Sequence, residues 1–325
     1  MIGITVGDPA GIGPEISLKS LEDRSIEAVC RPVLIGDLEH LRSESSRYHL
    51  ERELLPFGSL QTAGGIEVID LGNVEKGIEP GIESALTGRA SAQYIVQAVE
   101  LWNQGNIAAV ATAPISKNAL KMAGFPYPGH TEFFAELTGT SEFAMSFFAE
   151  KLRVVLLSTH LSLRDAIDRV RTLPLVDLIR FSDRMITDLT GRRPKIAVAG
   201  LNPHASEGGM FGSEEHDEIS PAVEICAAEG IDVSGPYSPD TVFLRGFRGE
   251  FGLVVACYHD QATIAVKSLS FGSSVNVTLG LPLIRTSVDH GTAFDIAGRG
   301  IADESSMKAA IRLAAELARS KRANL

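Results

Sequence analysis

Ile2-Gly3-Ile4-Thr5-Val6-Gly7-Asp8-Pro9-Ala10-Gly11-Ile12-Gly13-Pro14-Glu15 reads as a buried strand, a glycine turn and the start of a helix. The run Ile2–Val6 is short, β-branched and largely apolar, as a strand covered on both faces is. Pro14 suits the first turn of a helix, where its missing N–H costs nothing. The segment invites the dinucleotide fingerprint G-x-G-x-x-G, but the third glycine would fall at Ile16. A Rossmann site is therefore not expected here. Two roles stay open for the turn: reversing the chain, or lining a cleft with Asp8 at the strand end.

The same alternation continues outward. Val33–Ile35, Ile107–Thr112, Val154–Leu157, Ile196–Ala199 and Val254–Cys257 read as further buried strands. Between them, Ser84–Trp102 has helical spacing at Ala85, Ala92, Ile95, Val96 and Val99, and Leu175–Leu189 and Glu214–Ala228 are similar in character. Ser305–Lys321 is rich in Ala and Leu and ends in Arg319, Lys321 and Arg322, favourable at a helix C-terminus. Strands alternating with helices over 325 residues predict an α/β fold, one continuous two-lobed unit over residues 1–325 whose lobe boundaries the sequence does not mark.

Composition narrows the partners. Hydrophobic residues make up 44%, enough for a filled core, yet no apolar run approaches the roughly 20 residues that span a bilayer. Met1–Val6 enters a strand at once and lacks the basic region of a signal peptide. Cys30, Cys226 and Cys257 form no CxxC pair, as expected of reduced thiols in the cytoplasm. A net charge of −11 argues against nucleic acid or an anionic membrane as partner, and an anionic substrate would need a local basic cluster.

Three histidines sit in polar cassettes after apolar runs: Ser158-Thr159-His160, Asn202-Pro203-His204 and Tyr258-His259-Asp260-Gln261. Function in open α/β sheets concentrates at the carboxyl ends of strands. Three imidazoles delivered to one such edge would hold a divalent metal and leave a position for substrate. Each alone is more often a structural residue, and no short metal motif is present. Asp260 and Gln261 suit the orienting of a ligand imidazole. His40, His49 and His216, in charged stretches, are expected in solvent.

Two more segments carry chemistry. Thr112-Ala113-Pro114-Ile115-Ser116-Lys117 places hydroxyls and a lysine between a strand and a helix, and Gly129-His130-Thr131-Glu132 sets an imidazole where a helix begins, with Thr131 a candidate N-cap. Lys267, Asn276 and Arg285 follow, each among strand-like apolar neighbours. A charge inside the apolar run Pro282–Val288 needs a partner, and Arg285 would pair with a carboxylate or phosphate.

Taken together, Gly7–Glu15, Gly129–Glu132, Asn202-Pro203-His204-Ala205, Tyr258–Gln261 and Arg285–Ala293 resemble the 4-hydroxythreonine-4-phosphate dehydrogenase family of vitamin B6 (pyridoxine) biosynthesis, in order along nearly the whole chain. The resemblance implies a two-lobed fold like isocitrate and isopropylmalate dehydrogenases, a central cleft and a homodimer. It implies NAD or NADP as cofactor, bound by a loop similar to the adenosine-binding loop of those enzymes, with His290, Gly291, Thr292, Ala293 and Asp295 as contacts. One divalent ion (Zn, Mg, Mn or Co) would be held by His160, His204 and His259, in a site shared between subunits. His130, Thr131, Lys267, Asn276 and Arg285 would bind a phosphorylated hydroxy-acid substrate. Asp240 matches an acidic position near the metal, and Asp240, Lys267 and water remain open as proton acceptor. The implied reaction oxidises the C3 hydroxyl of 4-phosphooxy-L-threonine and releases carbon dioxide, leaving 3-amino-2-oxopropyl phosphate.

Three positions depart from the family pattern. Ser162 stands where proline is common, Ser206 where glycine usually follows Asn-Pro-His-Ala, and Ala262 where glycine usually follows His-Asp-Gln. No proposed ligand is lost, but substrate identity is put in question, and 4-phospho-D-threonate or 4-phospho-D-erythronate is the alternative. A metal-dependent lyase or hydrolase without nicotinamide, and a non-catalytic metal-binding module, are the readings from other classes.

Overall fold

In a computed structural model, which describes residues 1–59, 64–75, 78–270 and 272–323, each apolar run expected to be a buried strand is one, with ends shifted by one or two residues. Among the described residues the strands are β1 (Ile2–Thr5), β2 (Pro32–Gly36), β3 (Leu54–Pro56), β4 (Ile66–Asp70), β5 (Ala109–Thr112), β6 (Ala144–Ala149), β7 (Leu152–Leu156), β8 (Ile196–Ala199), β9 (Val233–Tyr237), β10 (Leu253–Ala256), β11 (Val275–Leu279) and β12 (Ile284–Ser287). Helices separate most of them, so the α/β class is borne out. No helix among the described residues is long and apolar enough to cross a membrane.

Two compact units divide the chain, one from Met1–Glu142 with Leu281–Ala318, the other from Phe143–Gly280 with Arg319–Leu325. In the first, the strand order is β3-β4-β2-β1-β5-β12, parallel throughout. All four residues of β1 and of β5 are buried, the mark of a parallel sheet with helices on both faces. Thr5, Thr112 and Ser287 are register partners across β1, β5 and β12. The carboxyl ends of these three neighbours therefore release the 7–15, 113–117 and 288–295 segments side by side. Pro14 does sit in the first turn of the helix Gly13–Glu22.

In the second unit the order is β11-β6-β7-β10-β8-β9, antiparallel at β11/β6 and β6/β7 and parallel beyond. Its core gathers Phe147, Leu152, Val154, Leu156, Val254, Ala256, Ala262 and Val266. The helix expected over Glu214–Ala228 starts as one wide turn, Glu215–Ile219, before the α-helix Ser220–Ala228. None of the three cysteines is in a disulfide; Cys226 and Cys257 are buried and Cys30 is half-buried.

Candidate active site

The three histidine cassettes emerge from β7, β8 and β10, which are adjacent in the order β7-β10-β8. Chain order 160, 204, 259 thus becomes edge order 160, 259, 204. Backbone and side-chain bonds tie these strand ends together. The Leu157 amide donates to the Ala256 carbonyl at 2.9 Å, and Ser158 Oγ to the Cys257 carbonyl at 3.0 Å. Gln261 accepts from the Cys257 amide and donates to the Gly200 carbonyl, both at 2.8 Å, linking the ends of β10 and β8.

His160 and His259 have ring centroids 6.0 Å apart. His259 opens the helix His259–Leu269, and its Nδ1 lies 2.7 Å from Asp260 Oδ1. That bond keeps the proton on Nδ1 and turns the Nε2 lone pair outward, the tautomer a metal ligand needs. His204 is exposed on Pro203–Gly209, where His204, Ala205, Ser206 and Glu207 all have left-handed backbone (φ 54°, 53°, 68° and 41°). The buried Glu215 carboxylate anchors the start of that turn, accepting from the Leu201 and Asn202 amides at 2.8 and 2.7 Å. Asp240 is exposed; the bond from Ser238 Oγ first, then its own backbone amide and last His204, hold its carboxyl below the usual range. Among the described residues no three His, Cys, Asp or Glu side chains gather to hold a metal ion. The donor chemistry of His160 and His259, with Asp260 behind, nonetheless suits a divalent cation.

Lys267 corrects the strand-like expectation: it lies exposed in the last turn of the helix that His259 opens, about 12 Å along the axis from it. Thr263, Ile264 and Val266 imitate a strand, but burial of Ala262 and Val266 against the core decides for helix. Asn276 is in β11, and its Oδ1 is buried with no hydrogen-bond partner.

In the first unit, Arg285 of β12 is buried, and two hydroxyls are among the groups that hold its guanidinium. Nε and one terminal nitrogen lie 3.3 and 3.1 Å from Thr112 Oγ1, and the other terminal nitrogen lies 3.2 Å from Thr131 Oγ1. Its carbon sits 6.0 Å from the centroid of the Phe134 ring, against which His130 also stacks. Burial lowers the Arg285 pKa to about 10. Burial and then the neighbouring guanidinium hold His130 well below the usual histidine range, so its ring is neutral, and its Nε2 is buried without a partner. Thr131 is not an N-cap: Gly129 is, and Thr131 points its hydroxyl at Arg285 from inside the first turn of His130–Leu137. Thr112 was visible in sequence only as a strand-end hydroxyl; nothing local tied it to an arginine 173 residues away.

The 290–295 loop is seated on the first turn of the chain. Ile12 donates its amide to the Thr292 carbonyl at 3.0 Å, and Gly11 is so near that a β-carbon would meet Thr292 at 3.1 Å. Ala293 is left-handed (φ 43°), a conformation that persists only where surroundings impose it. His290 Nε2 is buried with no partner, an orphaned polar atom that suits a nucleotide's polar edge. Gly291 and Asp295 are exposed. His40, expected in solvent, is half-buried with Nε2 3.1 Å from the Pro9 carbonyl of the same turn; His49 and His216 are exposed as expected.

Asp8 closes that turn, accepting from the Ala10 amide at 2.9 Å and from Thr87 Oγ1 at 3.3 Å. Desolvation, with Glu83 adding to it, raises its pKa from 3.8 to about 6. The folded chain therefore holds a proton there that the unfolded chain has lost, and the contribution to stability falls as pH rises from 3.8 to about 6. At neutral pH the cost is on the order of 3 kcal/mol. Asp8→Asn should gain on the wild type across that window and hold a constant difference above it. Melting curves from pH 4 upward (roughly, below the raised pKa) check this, and a difference independent of pH would refute it.

Sequence and fold are both shared with known proteins. The profile of the family described as "Pyridoxal phosphate biosynthetic protein PdxA" matches residues 28–314. A D-threonate 4-phosphate dehydrogenase of Cupriavidus necator is 47% identical, covering 98% of this chain and 97% of its own. A 4-hydroxythreonine-4-phosphate dehydrogenase of Desulforapulum autotrophicum is 44% identical over 97% of this chain and 94% of its own. The crystal structure of a 4-hydroxythreonine-4-phosphate dehydrogenase from Klebsiella pneumoniae superposes with a TM-score of 0.89 at 44% identity, covering 98% of this chain and 99% of that one.

Proposed function

The chain belongs to the family of the pyridoxal phosphate biosynthetic protein PdxA and is a dehydrogenase, and from that premise we propose that it oxidises the C3 hydroxyl of a four-carbon hydroxy acid phosphorylated at C4, with D-threonate 4-phosphate as substrate. The observation that carries this choice is the 47% identity to the Cupriavidus enzyme over nearly the whole of both chains. Loss of two hydrogens at C3 makes a ketone β to the carboxylate, and departure of carbon dioxide then leaves dihydroxyacetone phosphate. The second reading, 4-phosphooxy-L-threonine giving 3-amino-2-oxopropyl phosphate, is favoured by the family description and by the 44% relative.

Bound NAD or NADP would accept the hydride, and a bound divalent cation would polarise the hydroxyl being oxidised. The chain's own groups would do the rest. Arg285, supported by Thr131, pairs with an anionic group of the substrate through its guanidinium fork. His130, neutral, hydrogen-bonds the substrate without adding charge. Lys267 and Asn276 are the further substrate contacts in this proposal. His160, His204 and His259 would be the cation's ligands, Asp260 keeping the His259 tautomer, and the ionised Asp240 would be ready to accept a proton near His204. His290, Gly291, Thr292, Ala293 and Asp295 would hold the nucleotide. A homodimer completing the site fits the lack, among the described residues, of three gathered metal donors and the exposed Leu161, Leu163, Met210, Phe211 and Ile264 of the same unit. Three cysteines outside any disulfide suit the cytoplasm.

The test is formation of reduced nicotinamide with 4-phospho-D-threonate, 4-phospho-D-erythronate and 4-phosphooxy-L-threonine, with and without chelator. Chelator-sensitive turnover with D-threonate 4-phosphate at the highest kcat/KM is expected. Preference for the amino acid would establish the second reading instead, and no reduced cofactor with any of the three would overturn both.

A further inference from the structure

Arg285 and Thr112 are diagonal neighbours on adjacent parallel strands. Arg285 is the register partner of Val110, and Thr112 follows two residues later on the same face. The Thr112 hydroxyl is fully buried and its proton is directed to the Thr286 carbonyl at 3.2 Å. Its acceptor side therefore faces Arg285, and it takes both Nε and a terminal nitrogen of the guanidinium at 3.3 and 3.1 Å. A hydroxyl in that place fixes the plane of the guanidinium without cancelling its charge. A carboxylate there would fix it equally well and neutralise it.

We propose that Thr112 is a positioning residue for substrate binding, orienting the Arg285 fork toward the substrate's phosphate or carboxylate without itself adding a negative charge beside it. The proposal rests on the reading of Arg285 as an anion-binding residue. Thr112 itself touches neither substrate nor cofactor in this role. Its partner on the other side of the guanidinium is Thr131, so the cation is gripped from β5 and from the helix His130–Leu137 together.

Three measurements test it. Thr112→Val keeps the branched shape that suits a buried strand and removes the acceptor. It should raise KM for 4-phospho-D-threonate about 10- to 100-fold while kcat changes little, since a lost bond to a charged group is worth that much. Thr112→Ser, which restores the hydroxyl, should return KM to near the wild-type value. In an Arg285→Lys background Thr112→Val should add almost nothing, because its effect passes through the guanidinium. If the valine variant does not fold, Thr112→Cys, of similar size and a weak acceptor, is assayed in its place. Unchanged KM in the valine or cysteine variant, or a serine variant as impaired as valine, overturns the proposal and leaves the proposed activity standing. A wild-type enzyme whose melting temperature does not rise with inorganic phosphate, and which turns over none of the phosphorylated acids, overturns the anion-binding reading and the proposal with it.

Discussion

His259→Ala is expected to abolish the chelator-sensitive formation of reduced nicotinamide proposed above and to leave the fold intact. His259 is the histidine whose surroundings are most developed for ligation: a neighbour imidazole at 6.0 Å between ring centroids and a carboxylate at 2.7 Å from Nδ1. Its side chain is 38% exposed, so truncation removes little packing. The expected melting shift without metal is small, under roughly 1 kcal/mol. Loss of a zinc or cobalt ligand, by contrast, should lower metal affinity by several orders of magnitude, read by competition with a chromogenic chelator. Metal-dependent turnover surviving in the variant would rule out the histidine assignment.

Arg285→Lys is expected to have the second large effect. Lysine keeps the charge but has no planar fork, so it cannot take Thr112 and Thr131 on two sides and still present a paired edge to an anion. A loss of about 100-fold or more in kcat/KM is expected, carried mainly by KM, in line with the loss of a buried bidentate ion pair. Steady-state kinetics with D-threonate 4-phosphate check it. Wild-type KM in the lysine variant would show that the arginine supports the sheet and not the substrate.

Much of the first unit was legible because parallel strands covered on both faces must be unbroken apolar runs. β1 and β5 are such runs, and their ends could be marked to within two residues. The second unit was harder. β11, Val-Asn-Val-Thr-Leu, alternates because it pairs antiparallel with β6, and β9 contains Pro236, tolerated at the sheet's edge. Lys267 lay among β-branched residues that a helix absorbed. Thr131 has the composition of an N-cap, yet its hydroxyl was taken by an arginine from a strand 154 residues distant. Local propensity cannot register such a partner, because the bond exists only after the two elements pack.

What the amino-acid sequence determined by itself was the α/β class, the polar cassettes at strand ends and the absence of a G-x-G-x-x-G turn after β1. Those follow from periodicity and from residue chemistry over a few neighbours. The order of strands along each sheet was decided only in three dimensions. The neighbours β7-β10-β8 set His259 next to His160, and β5 beside β12 set Thr112 under Arg285. Strands such as β1 and β5 must bury both faces, which any of several orders would satisfy locally; the packing of the connecting helices selects one, and with it which side chains meet.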